Sequence, residues 1–158
     1  MVEEECDKQR LGWREWVSLP ELAVAAIKAK VDTGARTSAL HAFRVEDFQE
    51  RGQRKARFFI HPYQKRSDIA VACLAAVIDE RWVTDSGGHR EKRLVIVTPV
   101  QVGDRCWPVE MTLTNRDNMG FRMLLGRSVL QGRYIVDVDA SYLSRPRPRI
   151  SRQARRDV

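Results

Sequence analysis

The sequence predicts an all-β fold, a sandwich or small barrel with one short helix near the C-terminus. Three observations carry that prediction. Short apolar stretches of strand type recur along the chain, among them Arg57-Phe58-Phe59-Ile60, Ile69 to Ile78, Arg93 to Thr98 and Cys106 to Leu113. Turn-forming clusters separate them, at Ser18-Leu19-Pro20, Asp85-Ser86-Gly87-Gly88 and Gly103-Asp104. A helix is expected only after Gly126, where Phe121 to Leu125 reads as a buried strand ending in that glycine.

Gly12 to Val17 opens the fold as a strand, and Ser18-Leu19-Pro20 turns out of it. Glu21 to Val31 favours helix on propensity, with its alanines, lysines and leucine. The Asp-Thr-Gly turn that follows needs an extended segment feeding it, so a strand is expected there instead. Ala39 to Val45 is the strand leaving that turn, and Glu46 to Gln53 reads as a polar connector to Arg57-Phe58-Phe59-Ile60. His61-Pro62-Tyr63 begins a loop. Ile69 to Ile78, continued by Glu80-Arg81-Trp82-Val83, forms one arm of a hairpin that returns through Arg93 to Thr98. Val100-Gln101-Val102 and Cys106 to Leu113 form a second hairpin about Gly103-Asp104, and Tyr134 to Val138 is the final strand.

A chain of 158 residues is one domain, with 43% hydrophobic and 31% charged residues as in a globular protein. No apolar run approaches membrane-spanning length, and the start (Met1-Val2-Glu3-Glu4-Glu5) is acidic rather than signal-like, so a cytoplasmic protein with no membrane contact is expected. Cys6, Cys73 and Cys106 are odd in number and widely spaced, as suits reduced thiols. The net charge is +7, and residues 144–158 supply most of it, with six arginines against Asp157 alone. The chain therefore divides into an N-terminal extension, 1–11, a domain, 12–143, and an Arg/Pro-rich tail, 144–158, expected to be disordered alone. That tail suits contact with RNA, a ribosome or an acidic partner, or serves solubility only.

The segment Ala29-Lys30-Val31-Asp32-Thr33-Gly34-Ala35-Arg36-Thr37-Ser38-Ala39-Leu40 delivers an aspartate into a tight Thr-Gly turn. The aspartate offers an acid/base group, Thr33 a hydrogen bond within or across the loop, and Gly34 a close backbone approach. Three such residues also make an ordinary turn. With Phe121-Arg122-Met123-Leu124-Leu125-Gly126-Arg127 far downstream, the pair resembles retropepsin-like proteases. Those enzymes combine an Asp-Thr-Gly-Ala with two apolar residues and Gly-Arg. Gly12-Trp13-Arg14-Glu15-Trp16-Val17, Lys28 to His41 and Leu113-Thr114-Asn115-Arg116 narrow the likeness, from about Gly12 to Leu143. They are similar to a bacterial retropepsin-like family often labelled "ATP-dependent zinc protease", associated with RimK-type ATP-grasp ligases that add glutamate to protein C-termini.

The resemblance implies a retropepsin-like acid-protease barrel with Asp32 as the catalytic carboxylate. Thr33, Gly34 and Ala35 would shape the active-site loop, supported by Leu124, Leu125 and Gly126, and the Ile69–Thr98 hairpin would be the flap. Aspartic proteolysis needs two carboxylates sharing one proton across a water molecule. This chain supplies one, so a homodimer is expected. Thr84-Asp85-Ser86-Gly87 is the internal competitor, read as a hairpin turn. Two residues depart from ordinary retropepsins. Lys30, on the same side as Asp32 by strand alternation, would favour the ionised carboxylate. Arg36 stands where an aspartate usually meets the arginine after the glycine, here Arg127. Either each arginine finds another carboxylate, or Arg36, Arg127 and Arg116 rim a cleft for acidic or glutamate-tailed chains. The alternative function is a catalytically silent β-barrel that binds a modified ribosomal or protein tail. No cofactor or metal is expected. His-Glu-x-x-His, Cys-x-x-Cys and a phosphate-cradling Gly-x-x-x-x-Gly-Lys-Ser/Thr are all missing, and His41, His61 and His89 lie at unrelated spacings. Any ATP dependence would belong to a partner ligase. Ser38 and Ser128 lack a neighbouring histidine and acid in sequence, which disfavours serine chemistry.

Overall fold

The computed structural model describes residues 8–63, 68–85, 87–115 and 120–145. Arg116, residues 1–7 and the tail beyond Arg145 lie outside the described residues. The strands are β1 (Gln9–Gly12), β2 (Arg14–Leu19), β3 (Val24–Val31), β4 (Ser38–His41), β5 (Phe43–Glu50), β6 (Gln53–Ile60), β7 (Val71–Thr84), β8 (Arg90–Val102), β9 (Arg105–Thr114), β10 (Met123–Leu125) and β11 (Tyr134–Asp137). A 3-10 turn covers Pro20–Leu22, and the helix α1 spans Arg127–Leu130.

Strands β2-β3-β10-β4-β9-β8 are hydrogen-bonded in that order, and β2 meets β8 again through Ser18 and Gln101. The sheet thus closes into a six-stranded barrel. From β8 it continues outward through β7, β6 and β5, while β1 and β11 pair in parallel as a separate ribbon. Retropepsin-like β architecture with one short helix is the fold. Among the described residues, no helix is long and apolar enough to cross a membrane.

Alternation decides the strand over the helix in β3. Lys28 is half-buried and Lys30 exposed, whereas Ile27 and Ala29, which alternate with them, are fully buried in the barrel. They meet Met123 and Leu125 of β10, Leu40 of β4, Met111 and Leu113 of β9, and Ile96 of β8 in one core. A helix over the same residues would spread those apolar positions around its circumference. Tertiary packing overrides the alanine propensity.

Several boundaries differ from expectation. The opening strand is two, broken at Trp13, and β2 runs on through Leu19, so the turn sits at Pro20–Leu22. Likewise Ala39 to Val45 is split at Ala42. The polar stretch Glu46 to Gln53 is not a connector: β5 runs to Glu50 and turns at Arg51-Gly52 into β6. Both turn residues have positive φ (51° and 77°), the backbone that a two-residue hairpin turn requires. The hydrophobic signal is weak because β5 projects beyond the barrel and most of its residues are exposed. Cross-strand charges hold it instead: Arg54 meets Asp47 at 2.5 Å and Glu80 at 2.9 Å, and Lys92 meets Glu80 at 3.3 Å. β8 is a single strand shared by the two expected hairpins, passing through Pro99, which faces Pro108 of β9.

Of the described thiols, Cys73 is buried and Cys106 exposed, both free, and burial pushes the Cys73 thiol up to about 11.

Candidate active site

β3 ends at Val31 and β4 begins at Ser38, so residues 32–37 form the loop between them. β10 lies between these two strands, parallel to β3 and antiparallel to β4. Leu125 sits beside Val31, and Leu124 sits between Lys30 and Ala39. The loop is therefore gripped by a strand from a distant part of the chain.

Its hydrogen bonds are specific. The Asp32 amide donates to the Leu125 carbonyl at 2.8 Å. The Gly34 amide donates to Asp32 Oδ1 at 3.1 Å, closing a turn over the carboxylate. At the far end, the first amides of α1 donate to loop carbonyls: Arg127 to Ala35 at 2.7 Å and Ser128 to Arg36 at 3.0 Å. Arg127 also reaches the Thr33 carbonyl through Nη1 at 3.2 Å. Gly126 permits this approach, because a Cβ there would lie 2.5 Å from the Thr37 carbonyl carbon and 2.8 Å from the Ser38 amide nitrogen.

The structure thus brings Asp32, Thr33, Gly34 and Ala35 together with Leu125, Gly126 and Arg127. Asp32 and Ala35 are half-buried, and Thr33, Gly34 and Arg36 are exposed. The two leucines differ: Leu125 is fully buried in the core, and Leu124 is half-buried on the opposite side of β10. Among the described residues, Arg36 and Arg127 make no ion pair, and Lys30 makes none with Asp32. Asp85 accepts from the amides of Gly87 and His89, both at 2.9 Å, as a hairpin-turn residue would.

Two residues of structural weight were missed in the sequence. Ser38 is fully buried, and its Oγ accepts from the Gly126 amide at 2.9 Å, tying β4 to the glycine. Glu15, also fully buried, accepts from the amides of Gly12, Leu143 and Ser144 and from the Ser144 hydroxyl, at 2.6–2.9 Å. It clasps the segment after β11 against β2. Its signal was alternation: Glu15 shares a strand face with the apolar Val17.

The histidines do not suit a zinc ion. His61 stacks on Phe43 at 4.3 Å and its Nδ1 lies 3.1 Å from the Ile69 carbonyl, His89 sits beside Asp85 at 3.7 Å in the hairpin turn, and His41 is buried in β4. Among the described residues, no three His, Cys, Asp or Glu side chains gather as a metal-holding group.

Residues 10–147 match the RimB-like family, described as "Retropepsin-like aspartic endopeptidase RimB". That span includes both the Asp32 loop and the strand that grips it. The chain belongs to the RimB-like family. Outside the family description, this RimB-like chain is 45% identical over 132 residues, 84% of its length, to a protein of Shewanella pealeana named "Probable alpha-L-glutamate ligase". A Desulfotalea psychrophila protein of the same name is 45% identical over 130 residues, 82% of the chain. The chain spans only 29% and 28% of the length of these relatives. A crystal structure of the Legionella pneumophila protein Lpg0085, described as having unknown function, shares the fold. Its TM-score is 0.73 at 22% identity, over 87% of this chain and 98% of that one.

Proposed function

We propose that this RimB-like chain is an aspartic endopeptidase that acts as a homodimer, one Asp32 carboxylate coming from each protomer. The observation that supports this reading best is β10 inserted between the strands that flank Asp32. It holds the carboxylate at the end of a strand, in a loop whose Asp32 amide donates to Leu125 of β10 and whose Ala35 and Arg36 carbonyls accept from the first amides of α1. Leu124, Leu125 and Gly126 support the loop, and Thr33, Gly34 and Ala35 shape it.

Two carboxyl groups about 3 Å apart cannot both ionise cheaply, so the pair shares a proton. The ionised partner takes a proton from water while the neutral one donates to the scissile carbonyl. Each chain has one Asp-Thr-Gly, which is why the reading requires a second copy. The β7–β8 hairpin is the flap in this scheme.

The substrate we infer is an acidic or glutamate-tailed chain, drawn by Arg36 and Arg127, with Arg116 as the third expected cation. Two things support it: neither described arginine has an ion-pair partner among the described residues, and relatives bear the name of a glutamate ligase. Because those relatives contain a segment like this chain within a longer protein, we place its work beside an ATP-grasp ligase in the cytoplasm. It would trim what the ligase extends.

Cleavage of a glutamate-tailed and a neutral peptide by wild type and Asp32→Asn tests both the mechanism and the preference. Loss of cleavage in a variant with unchanged circular dichroism is expected, with the glutamate-tailed peptide cut faster by wild type. Equal rates on the two peptides would remove the acidic preference. Unchanged activity in Asp32→Asn would overturn the aspartic mechanism, and no cleavage of either peptide by wild type would leave the binding-barrel reading.

A further inference from the structure

On the outer surface of the barrel, two cations face one another beside the Asp32 loop. Arg14 of β2 and Lys30 of β3 are direct cross-strand partners. The Val31 amide donates to the Trp13 carbonyl at 2.9 Å, so 13 and 31 are the hydrogen-bonded pair. Arg14 and Lys30, the next pair along, are then a non-hydrogen-bonded pair, the type in which side chains come closest. Like charges in that arrangement repel and destabilise a sheet. No carboxylate among the described residues forms an ion pair with either one.

Arg14 is nevertheless held in place. Its guanidinium carbon lies 4.5 Å from the Trp13 ring centre and 5.0 Å from that of Tyr142. Its Nε donates to Ser141 Oγ at 3.1 Å. Tyr142 adopts a positive φ of 56°, a conformation that costs energy for a tyrosine, and its amide bonds the Arg14 carbonyl at 3.0 Å. One edge of the guanidinium is therefore anchored, and no described residue takes a hydrogen bond from either terminal nitrogen. Lys30, beside it, is exposed and without a protein partner among the described residues. A stacked, pre-organised guanidinium next to an ammonium is the donor set that a carboxylate needs.

We propose that Arg14 and Lys30 form a carboxylate-binding subsite that selects an acidic side chain of the substrate next to the reacting centre. Lys30 and Asp32 are two residues apart on one side of the strand line, about 7 Å along the chain. That is one side-chain step on an extended peptide lying alongside. An acidic residue bound there relieves the repulsion between the two cations, which gives the pair a role that sheet stability does not. Anion recognition thus begins on the barrel wall, apart from the Arg36 and Arg127 side chains of the loop and helix. The subsite rests on the reading of the Asp32 loop as the reacting centre.

The test separates the two. Binding of tetra-glutamate and of tetra-glutamine to full-length Asp32→Asn protein is followed by Trp fluorescence, Trp13 lying against Arg14, with calorimetry as a second readout. Tetra-glutamate is expected to bind more tightly. Arg14→Gln and Lys30→Gln, each added to Asp32→Asn, should weaken it by about tenfold or more while tetra-glutamine binding changes little. Lys30→Glu, which keeps a long exposed side chain, should reverse the preference towards tetra-lysine. Tetra-glutamate affinity unchanged in Arg14→Gln and Lys30→Gln, but lost in Arg36→Gln or Arg127→Gln, would overturn the subsite. Cleavage is not needed for this readout, so an inactive wild type would sink the peptidase reading and leave the binding result standing.

Discussion

At Gly126 a single hydrogen atom keeps the strand and the loop in contact. Its missing Cβ leaves room for the Thr37 carbonyl group and the Ser38 amide, both backbone, which a side chain could displace only by moving the loop. Gly126→Ala should therefore cost about 1–3 kcal/mol of stability through overpacking. The loss should not stop at stability, because the displaced atoms belong to the segment that carries Asp32. Urea unfolding measures the first effect, and peptide cleavage at a temperature where the variant remains folded measures the second. A variant as stable and as active as wild type would show that the loop relaxes freely around the glycine. By itself the Met123-Leu124-Leu125-Gly126 signal reads as a plain core strand, and it was legible in the sequence through its resemblance, together with Asp-Thr-Gly-Ala, to the retropepsin pattern. Ser38 was not. A small polar residue after a turn looks solvent-exposed, and only the arrival of β10 buries it and gives its Oγ the Gly126 amide.

Among the elements, β5 and the first residues of its hairpin partner β6 depend on charge, whereas the barrel and the rest of β6, with Ala56, Phe58 and Ile60 fully buried, depend on apolar packing. Asp47 is held below the usual carboxylate range by its hydrogen bonds from Arg54, and Glu80 by those from Arg54 and Lys92. A carboxylate with a lowered folded value contributes stability at pH above its unfolded value and loses it as pH falls through the folded one. Acidification from neutrality to below about pH 4 should loosen β5 and the start of β6 around Arg54 before the barrel. These groups lie near the surface, so the effect is small and salt weakens it further. Hydrogen exchange read strand by strand would show it: faster exchange of Phe43–Glu50 amides at low pH, with β3 and β10 still protected. Simultaneous loss in all strands would mean that the hairpin is not an independent unit. The same chemistry explains why this hairpin was illegible in the sequence while β3 was read correctly. Alternating burial marks a strand only where one face meets a core, and Glu46 to Gln53 meets none. β3 gave a contrary signal in its alanines, and the turn it feeds decided the matter.

For the whole molecule, the barrel resolves one difficulty and leaves another to a second copy. Closure of β2 on β8 uses both edges of the six-stranded sheet, and the loop bearing Asp32 is braced by β10 and α1 of its own chain. Each protomer can therefore present its aspartate in a preformed loop. Yet the proposed chemistry needs two carboxylates, and Asp85, the other aspartate in a comparable tripeptide, is occupied in a hairpin turn. The unit that folds and the unit that reacts are then different sizes. Mixing tests this whichever surfaces the two copies share. If wild type and Asp32→Asn exchange freely at equal amounts, random pairing leaves about a quarter of dimers with both aspartates. Independent monomers would leave about half of the sites active. Cleavage falling towards a quarter of the all-wild-type rate at constant total protein, with specific activity also declining on dilution, is the expected outcome. A rate that stays at half and is indifferent to dilution would place a complete site within one chain.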